Sequence, residues 1–399
     1  MKKSTLQQKI IQGRLNVVYR IITTCLRPIF RIFYNYKCDK PKKIKGPVIV
    51  LANHVTDYDP ILVTYGFKKQ MYFIASENCF RKGLKSKFLS WAFAPISKIK
   101  GASDTMAVMK AVRYLKEGKN ICIFPEGGRT FNGKTTPVQV ATGKLVKLSG
   151  ASLATFKISG GYFKIPRWGY GFRKGPWSGK HMGLYSPEQL KAMSAQEITD
   201  LINRDLYEDA YETQAKNPSK YFCDTPALGM ECGVSVCPSC KSIDKIKTDS
   251  HSVFCTCCNL KTTIDEYGYF EEGFPFHTFS DWDSWQENYY KEYTATFADN
   301  TKPIIFDENV NLRTVNADHE TIIIGNGTFA LYKDRFSFKP TDKDEVNLSI
   351  DKVPDCSVFS RSNFNFTDNE GLHYELYTDR LINVRKYLSV WNYLREQNN

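Results

Sequence analysis

The feature that most constrains the fold is a repeated unit in which a short, wholly apolar run stops at a polar motif. The first run is Pro47-Val48-Ile49-Val50-Leu51-Ala52, bounded by Gly46, and the second is Asn120-Ile121-Cys122-Ile123-Phe124. Runs this short and this apolar read as strands buried on both faces. Between them, Asp104, Ala107, Val108, Ala111, Val112 and Leu115 recur at helical spacing, and the pattern stops at Gly118. Strand, helix, strand predicts an α/β domain of strand-helix units with a mixed sheet and a site at the strand ends.

Each strand runs into a motif with chemical content. After the first comes Asn53-His54-Val55-Thr56-Asp57-Tyr58-Asp59, followed by Pro60 and the apolar Ile61-Leu62-Val63. Asp59 before Pro60 is how a helix N-cap with proline at the first helical position is spelled. A five-residue step across such a turn also lets the Asp59 carboxylate return to one imidazole nitrogen of His54, leaving the other for a substrate hydroxyl. The plainer alternative is that Asp59 only caps a helix and His54 is an ordinary loop histidine. After the second strand comes Phe124-Pro125-Glu126-Gly127-Gly128-Arg129-Thr130, whose glycines allow close backbone approach to a ligand and whose Arg129 offers a planar fork for phosphate. Taken alone, it reads equally as a glycine-rich turn with a surface arginine.

Together the two segments resemble the glycerolipid acyltransferase family of the lysophosphatidate (1-acylglycerol-3-phosphate) type. Its first motif is Asn-His, four residues, then Asp, and its third is Phe-Pro-Glu-Gly-x-Arg-Ser/Thr, matched here by Asn53, His54 and Asp59 and by Phe124, Pro125, Glu126, Gly127, Arg129 and Thr130. The likeness covers roughly residues 45 to 170. It implies His54 as the base that activates a lysophospholipid hydroxyl, with Asp59 as its orienting partner. Glu126 and Arg129 would hold the glycerol-phosphate part, and the other motif residues would complete the substrate site. It further implies an acyl thioester of acyl-carrier protein or coenzyme A as donor, phosphatidate as product and no catalytic cofactor. Two positions depart from the pattern. Where the second motif usually carries Arg, the segment Pro95-Ile96-Ser97-Lys98-Ile99-Lys100-Gly101 has only lysines, with Lys98 the closer equivalent; lysine keeps the charge but lacks the bidentate fork. Where the fourth motif centres on Pro after an apolar strand, this chain has Leu153-Ala154-Thr155-Phe156.

Charge is divided unevenly. Residues 1–180 hold 34 Lys and Arg against 7 Asp and Glu, and residues 181–399 hold 21 against 35, so the first half is suited to an anionic surface and the second is not. Within residues 1–36, Ile11, Leu15, Val18, Ile22, Ile29 and Phe33 fall in one helical stripe with Lys9, Arg20, Arg27 and Arg31 opposite. This predicts interfacial helices broken near Pro28 and lying on anionic lipid; the alternative is an amphipathic helix packed on its own domain. The longest uncharged apolar run hereabouts, Phe88 to Ser97, is about half of what a spanning helix needs, and Arg14, Arg20 and Arg27 interrupt any signal-like segment. The expected location is therefore peripheral, on the cytoplasmic face of the cell membrane, with no transmembrane span and no secretion.

The acyltransferase-like domain is expected over residues 37–215, with Ser194 and Glu197 as a capping box that opens a polar closing helix through about Gln214 and a loop over residues 166–183. Beyond Asn217-Pro218, Cys237-Pro238-Ser239-Cys240 and Cys255-Thr256-Cys257-Cys258 are two knuckles separated by fourteen residues. Cys237, Cys240, Cys255 and Cys258 thereby predict a zinc ribbon over 216–272 with a structural zinc, although Cys257 could replace a neighbour. Residues 273–399 read as short antiparallel strands closed by a helix from Arg385 to Arg395, an order resembling a pleckstrin-homology domain, with Gly325-Asn326-Gly327 as a turn. Trp282, Trp285 and Tyr289 are read as the packing face of a helix in preference to a lipid or partner contact. Basic charge with a zinc ribbon raises the alternative of a nucleic-acid-binding protein, but residues 216–270 hold six basic and six acidic residues, so nucleic acid is not an expected partner. A membrane-surface scaffold that kept the fold without catalysis is the remaining alternative.

Overall fold

A computed structural model describes residues 5–76, 83–98, 105–316 and 320–398. They form two compact units: one holds the chain up to the mid-160s together with 172–222, and the other holds 167–171 and 223 onward.

The first unit is built on a seven-stranded sheet. Its strands are β1 (Tyr36–Cys38), β2 (Val48–Ala52), β3 (Tyr72–Ser76), β4 (Ile96–Lys98), β5 (Ile121–Ile123), β6 (Ser152–Ser159) and β7 (Trp177–Tyr185), in spatial order β1-β7-β6-β2-β5-β3-β4. The two apolar runs are adjacent central strands: β2 pairs in parallel with both β5 and β6, while β7 runs antiparallel to β6, so the sheet is mixed. Parallel pairing carries the carboxyl ends of β2, β3, β4, β5 and β6 to one sheet edge, which is why motifs seventy residues apart can meet.

The helices are α1 (Thr5–Ile21), α2 (Arg27–Ile32), α3 (Asp59–Thr64), α4 (Gly83–Phe93), α5 (Thr105–Lys116), α6 (Val140–Ser149), α7 (Gly161–Lys164), α8 (Pro187–Ala192), α9 (Ala195–Leu206) and α10 (Ala210–Lys216). The core on one sheet face joins Ile49, Leu51 and Leu153 to Leu15 of α1, Leu115 of α5, Val146 of α6 and Ile202 of α9. Of the α5 positions singled out in the sequence, Asp104 lies outside the described residues.

Several expectations need correction. The predicted lipid stripe is divided: Leu15 and Ile22 are buried and Ile11 and Val18 half-buried, whereas Ile29 and Phe33 further along are exposed, as are Leu6, Ile10, Val17 and Ile21 on another face of α1. Both stripes have helical spacing, so periodicity could not choose between them. The helix does not stop before Pro28 but widens into a π-turn over Ile22–Leu26 before α2; the wider turn accommodates a proline ring that would otherwise crowd the carbonyl four residues back. The stretch read as a loop over 166–183 contains much of β7. The closing helix opens on the Ser194–Glu197 capping box as expected, but it breaks after Leu206 and restarts at Ala210, capped by the Asp209 side chain on the Tyr211 and Glu212 amides. No helix among the described residues is long and apolar enough to cross a membrane.

The second unit opens with a three-stranded sheet of β8 (Ile246–Thr248), β9 (Ser252–Cys255) and β10 (Lys261–Thr263), in order β10-β9-β8. Helix α11 (Phe279–Ala295) packs on the segment that precedes the sheet: the Trp282 indole donates to the Val236 carbonyl at 2.9 Å, and Gln286 holds the Ser235 amide and the Gly233 carbonyl. Trp282 is therefore a core residue, and Trp285 and Tyr289 stack beside it along the same helix. A seven-stranded antiparallel sheet follows, built from β11 (Ile305–Val315), β12 (Thr321–Leu331), β13 (Arg335–Pro340), β14 (Val346–Ser349), β15 (Asp355–Phe359), β16 (Asn363–Thr367) and β17 (His373–Tyr377), in order β14-β13-β12-β11-β17-β16-β15. Gly325-Asn326-Gly327 is not a turn but the middle of β12, where the pairing shifts register. A Cβ at Gly327 would meet the Lys339 carbonyl at 2.1 Å, so its glycine serves close strand approach. The closing helix α12 (Arg385–Asn398) brings a fully buried Lys386, which bonds Asp244 in the segment just before β8 and lies 3.0 Å from Asp307 on β11.

Candidate active site

His54 leaves the end of β2 with both of its backbone groups held by the second motif. Its amide donates to Glu126 Oε1 at 2.7 Å, and its carbonyl accepts from the Thr130 amide at 3.0 Å. The two motifs are thus one hydrogen-bonded assembly. The ring is fixed as well: Nδ1 lies 2.8 Å from Asp59 Oδ2, and Phe124 stacks on it with centroids 4.5 Å apart.

Asp59 is the first residue of α3, and its side chain makes no capping bond at that helix. The carboxylate instead turns back. Oδ2 accepts from the Val55 and Thr56 amides at 2.6 and 2.9 Å, and Oδ1 accepts from Thr56 Oγ1 at 2.7 Å. An acceptor surrounded by donors requires Nδ1 to carry the imidazole proton, which leaves Nε2 as the basic nitrogen. Asp59 is fully buried while His54 keeps about a quarter of its side chain exposed, so the pair has a dry and a wet end.

Asn53 is spent within the protein. Its amide nitrogen donates to the Ile158 carbonyl at 2.8 Å and its oxygen accepts the Ile158 amide at 2.7 Å, which ties the end of β2 to β6. Glu126 likewise holds backbone, with Oε2 accepting the Thr136 amide at 3.0 Å. Burial pushes its carboxyl up to about 7, against the lowering effect of those two amides and with Asp59 adding to the rise. Gly127 has φ +76°, the left-handed conformation that lets the loop turn directly after Glu126. Arg129 is mostly covered and its Nε lies 3.3 Å from Asp57, a carboxylate that is itself largely exposed. Thr130 is buried and accepts the Gly133 amide at 3.0 Å. Pro125 sits between Phe124 and Glu126 and is half-exposed.

A recess beside His54 is lined by Asn53, Glu126, Thr130, Gly133, Tyr162 and Glu208, among others. Gly133 needs its glycine twice over, because φ is +88° and a Cβ would sit 2.9 Å from that of Ala210. Glu208 was not foreseen. It arrives from the break between α9 and α10, where Ser159 and Thr213 each donate to it at 3.0 Å and Lys157 stands 3.6 Å away. The only sequence signal for it was the Glu208-Asp209 pair inside an otherwise helical pattern. Lys98 closes β4 at the sheet edge, two strands from β5, and is not among the residues lining this recess; its neighbours Ile99 and Lys100 lie outside the described residues. Thr155 is buried and donates to Asp205 at 2.7 Å, so it too is spent inside the domain.

In the second unit, the sulfurs of Cys237, Cys240, Cys255 and Cys258 all lie within 4.8 Å of one another, with Cys237 to Cys258 at 3.6 Å and Cys240 to Cys255 at 3.7 Å. Tetrahedral zinc with Zn–S bonds of about 2.3 Å sets neighbouring sulfurs about 3.8 Å apart, so this cluster could hold such an ion. Cys257 is exposed and stands outside the set.

Residues 33–159 match a family model described as Acyltransferase. A 1-acyl-sn-glycerol-3-phosphate acyltransferase of Borreliella burgdorferi is 29% identical over 110 residues, covering 27% of this chain and 44% of that protein, so the chain spans less than half the length of this curated relative. Among solved structures, the 1-acyl-sn-glycerophosphate (LPA) acyltransferase PlsC of Thermotoga maritima aligns with TM-score 0.39 at 20% identity, over 52% of this chain and 83% of that one. A chain of the 8S snRNP assembly intermediate aligns with TM-score 0.21 at 15% identity, over 25% of this chain and 87% of that one. By sequence, residues 33–159 carry an acyltransferase-family domain.

Proposed function

We propose that the protein transfers a fatty acyl group from the thioester of acyl-carrier protein or acyl-coenzyme A to the free hydroxyl of a lysophospholipid. The acceptor that best fits is 1-acylglycerol-3-phosphate, giving phosphatidate. The observation that carries this reading is the His54–Asp59 pair, with Nδ1 locked to a carboxylate whose other lone pairs are taken. Nε2 of His54 accepts the acceptor's hydroxyl proton as the oxygen attacks the thioester carbonyl, and the imidazolium so formed returns the proton to the departing thiolate. Asp59 holds the tautomer and offsets the developing positive charge. Arg129 receives the acceptor phosphate by exchanging the exposed Asp57 for it, with Lys98 adding positive charge from the sheet edge. Asn53 and Glu126 act as positioning residues, holding the His54 backbone and the strand behind it.

In the same reading the protein lies peripherally on anionic membrane at the cytoplasmic face, entering it through the exposed Leu6, Ile10, Val17 and Ile21 of α1. The four-cysteine cluster holds a structural zinc, and the antiparallel order closed by α12 supports a pleckstrin-homology-like domain over residues 273–399. Transfer of a labelled acyl group to lysophosphatidate should vanish in His54→Ala with the unfolding profile unchanged. Undiminished transfer would leave the non-catalytic scaffold as the better reading.

A further inference from the structure

At the opposite edge of the sheet from His54, where β3 and β5 begin, α1 and the turns at residues 68–70 and 117–120 enclose a groove of about 520 Å³. Its charges are Arg20, Lys68, Lys69 and Lys119 against a single acid, Glu117. That acid is already engaged, by Lys119 at 2.6 Å and Arg113 at 3.7 Å. Burial and then the charge of nearby Lys43 hold the Lys69 ammonium below its ordinary range. The groove floor is organised without any charge: the Tyr72 hydroxyl donates to Gln12 Oε1 at 2.8 Å, and Gln12 Nε2 donates to Gln70 and Asn16 at 3.1 and 3.2 Å. With its carbonyl so occupied, the Asn16 amide contributes N–H donors beside the cations.

The groove has a fixed relation to the apolar stripe of its own helix. At 100° per residue, Gln12, Asn16, Tyr19 and Arg20 fall on one flank of Leu6, Ile10, Val17 and Ile21, whose exposures run from 68% to 50%. An apolar stripe bordered by a cationic, hydrogen-bonding groove matches a molecule with a tail on one side and a phosphate on the other. Nothing in the acyl-transfer chemistry at His54 uses these residues.

We infer that this groove receives the phosphate-bearing headgroup of an anionic phospholipid from the layer that the α1 stripe enters. It is a second lipid site, separate from the acceptor site at His54 and Arg129, and it rests on the membrane-surface part of the proposed function. Bound there, a headgroup fixes how far α1 sinks and which way the sheet edge carrying His54 faces.

The test is vesicle co-sedimentation of the full chain on phosphatidylcholine alone and on phosphatidylcholine mixed with phosphatidylglycerol. Arg20→Gln with Lys68→Gln removes two exposed groove charges; at roughly fivefold per basic residue near an anionic surface, the extra binding given by phosphatidylglycerol should fall about 30-fold. Binding to neutral vesicles should hold. A control pair, Lys144→Gln with Lys191→Gln, removes the same net charge from exposed positions on α6 and α8 and should cost far less. Equal losses in the two pairs would make the effect one of net charge and overturn the groove. Stabilisation by inorganic phosphate that only the groove variant loses, with vesicle binding unchanged, would assign the site to a soluble anion and overturn the lipid reading. Wild-type protein that binds no vesicle would sink the membrane reading itself.

Discussion

Replacing Asp59 with Asn separates what the carboxylate does for geometry from what it does with its charge. The Asn carbonyl must take the Oδ2 place, where it can still accept the Val55 and Thr56 amides and the His54 Nδ1 proton. Its NH₂ then falls at the Oδ1 place, opposite a Thr56 hydroxyl that can turn from donor to acceptor. The loop therefore survives, and the lost element is a negative charge facing the imidazolium. With Nδ1 and Oδ2 2.8 Å apart, the charge centres are about 4 Å apart, which at an effective dielectric of about 20 gives about 4 kcal/mol. The transition state carries most of that charge, so kcat should fall by about a thousandfold. KM for lysophosphatidate should move only a few-fold, since Asp59 is fully buried behind His54 and the acceptor phosphate is assigned to Arg129. The assay is steady-state transfer of labelled acyl chains, paired with an unfolding curve. A kcat within about tenfold of wild type would refute the electrostatic role, and a collapsed unfolding curve would refute the premise that Asn fits.

Further outcomes follow from the same geometry. Glu126 has a carboxyl raised from 4.5 to about 7, so the folded chain binds that proton more tightly than the unfolded one; stability is fullest below about 4.5 and declines as pH rises through about 7, by at most about 3 kcal/mol because part of the side chain meets solvent. Glu126→Gln should remove this slope in denaturant titrations at several pH values, and an unchanged slope would assign the decline to other groups. Metal analysis should find about one zinc per chain, and Cys258→Ala should lose it along with the unfolding transition of the second unit; metal-free wild type with an intact transition would exclude the site. On α1, Ile10→Asp with Val17→Asp should weaken vesicle binding by about a hundredfold while leaving the fold intact, whereas Leu15→Asp should unfold the domain. The reverse order would restore the inward stripe as the lipid face.

The legible parts were those where one local pattern has one physical solution. Wholly apolar runs ending at polar motifs read as central strands of a parallel core, and the cysteine knuckles converge because one lies just before the small sheet, beside the Val236–Ile243 bridge, and the other at the end of β9. The pairing of His54 with Asp59 followed from its spacing, but the second role of the same motifs did not. Asn53 on Ile158 and Glu126 on the His54 amide are contacts across the sheet, and sequence distance carries no sign of them. Glu208 was hidden for the same reason. The α1 stripe failed differently, because two apolar faces share one helix and only packing decides which turns inward. The strand through Gly325 to Gly327 was misread because glycines that permit close strand approach are spelled like glycines that turn.

Lys386 carries a consequence for how the second unit comes to exist. Its ammonium joins Asp244, Asp307 and the final helix, three stretches of chain separated by 63 and 79 positions. During synthesis, Asp244 and Asp307 must wait for residues beyond 385 to emerge before either has its cation, so the segment before β8 and the strand β11 are left without it until then. A fragment ending at the last strand would leave the largely covered Asp307 and the partly exposed Asp244 facing each other without the cation between them. Such a fragment should be held by chaperones or cleared by proteases, and the second unit should appear all at once, late, when its closing helix is made.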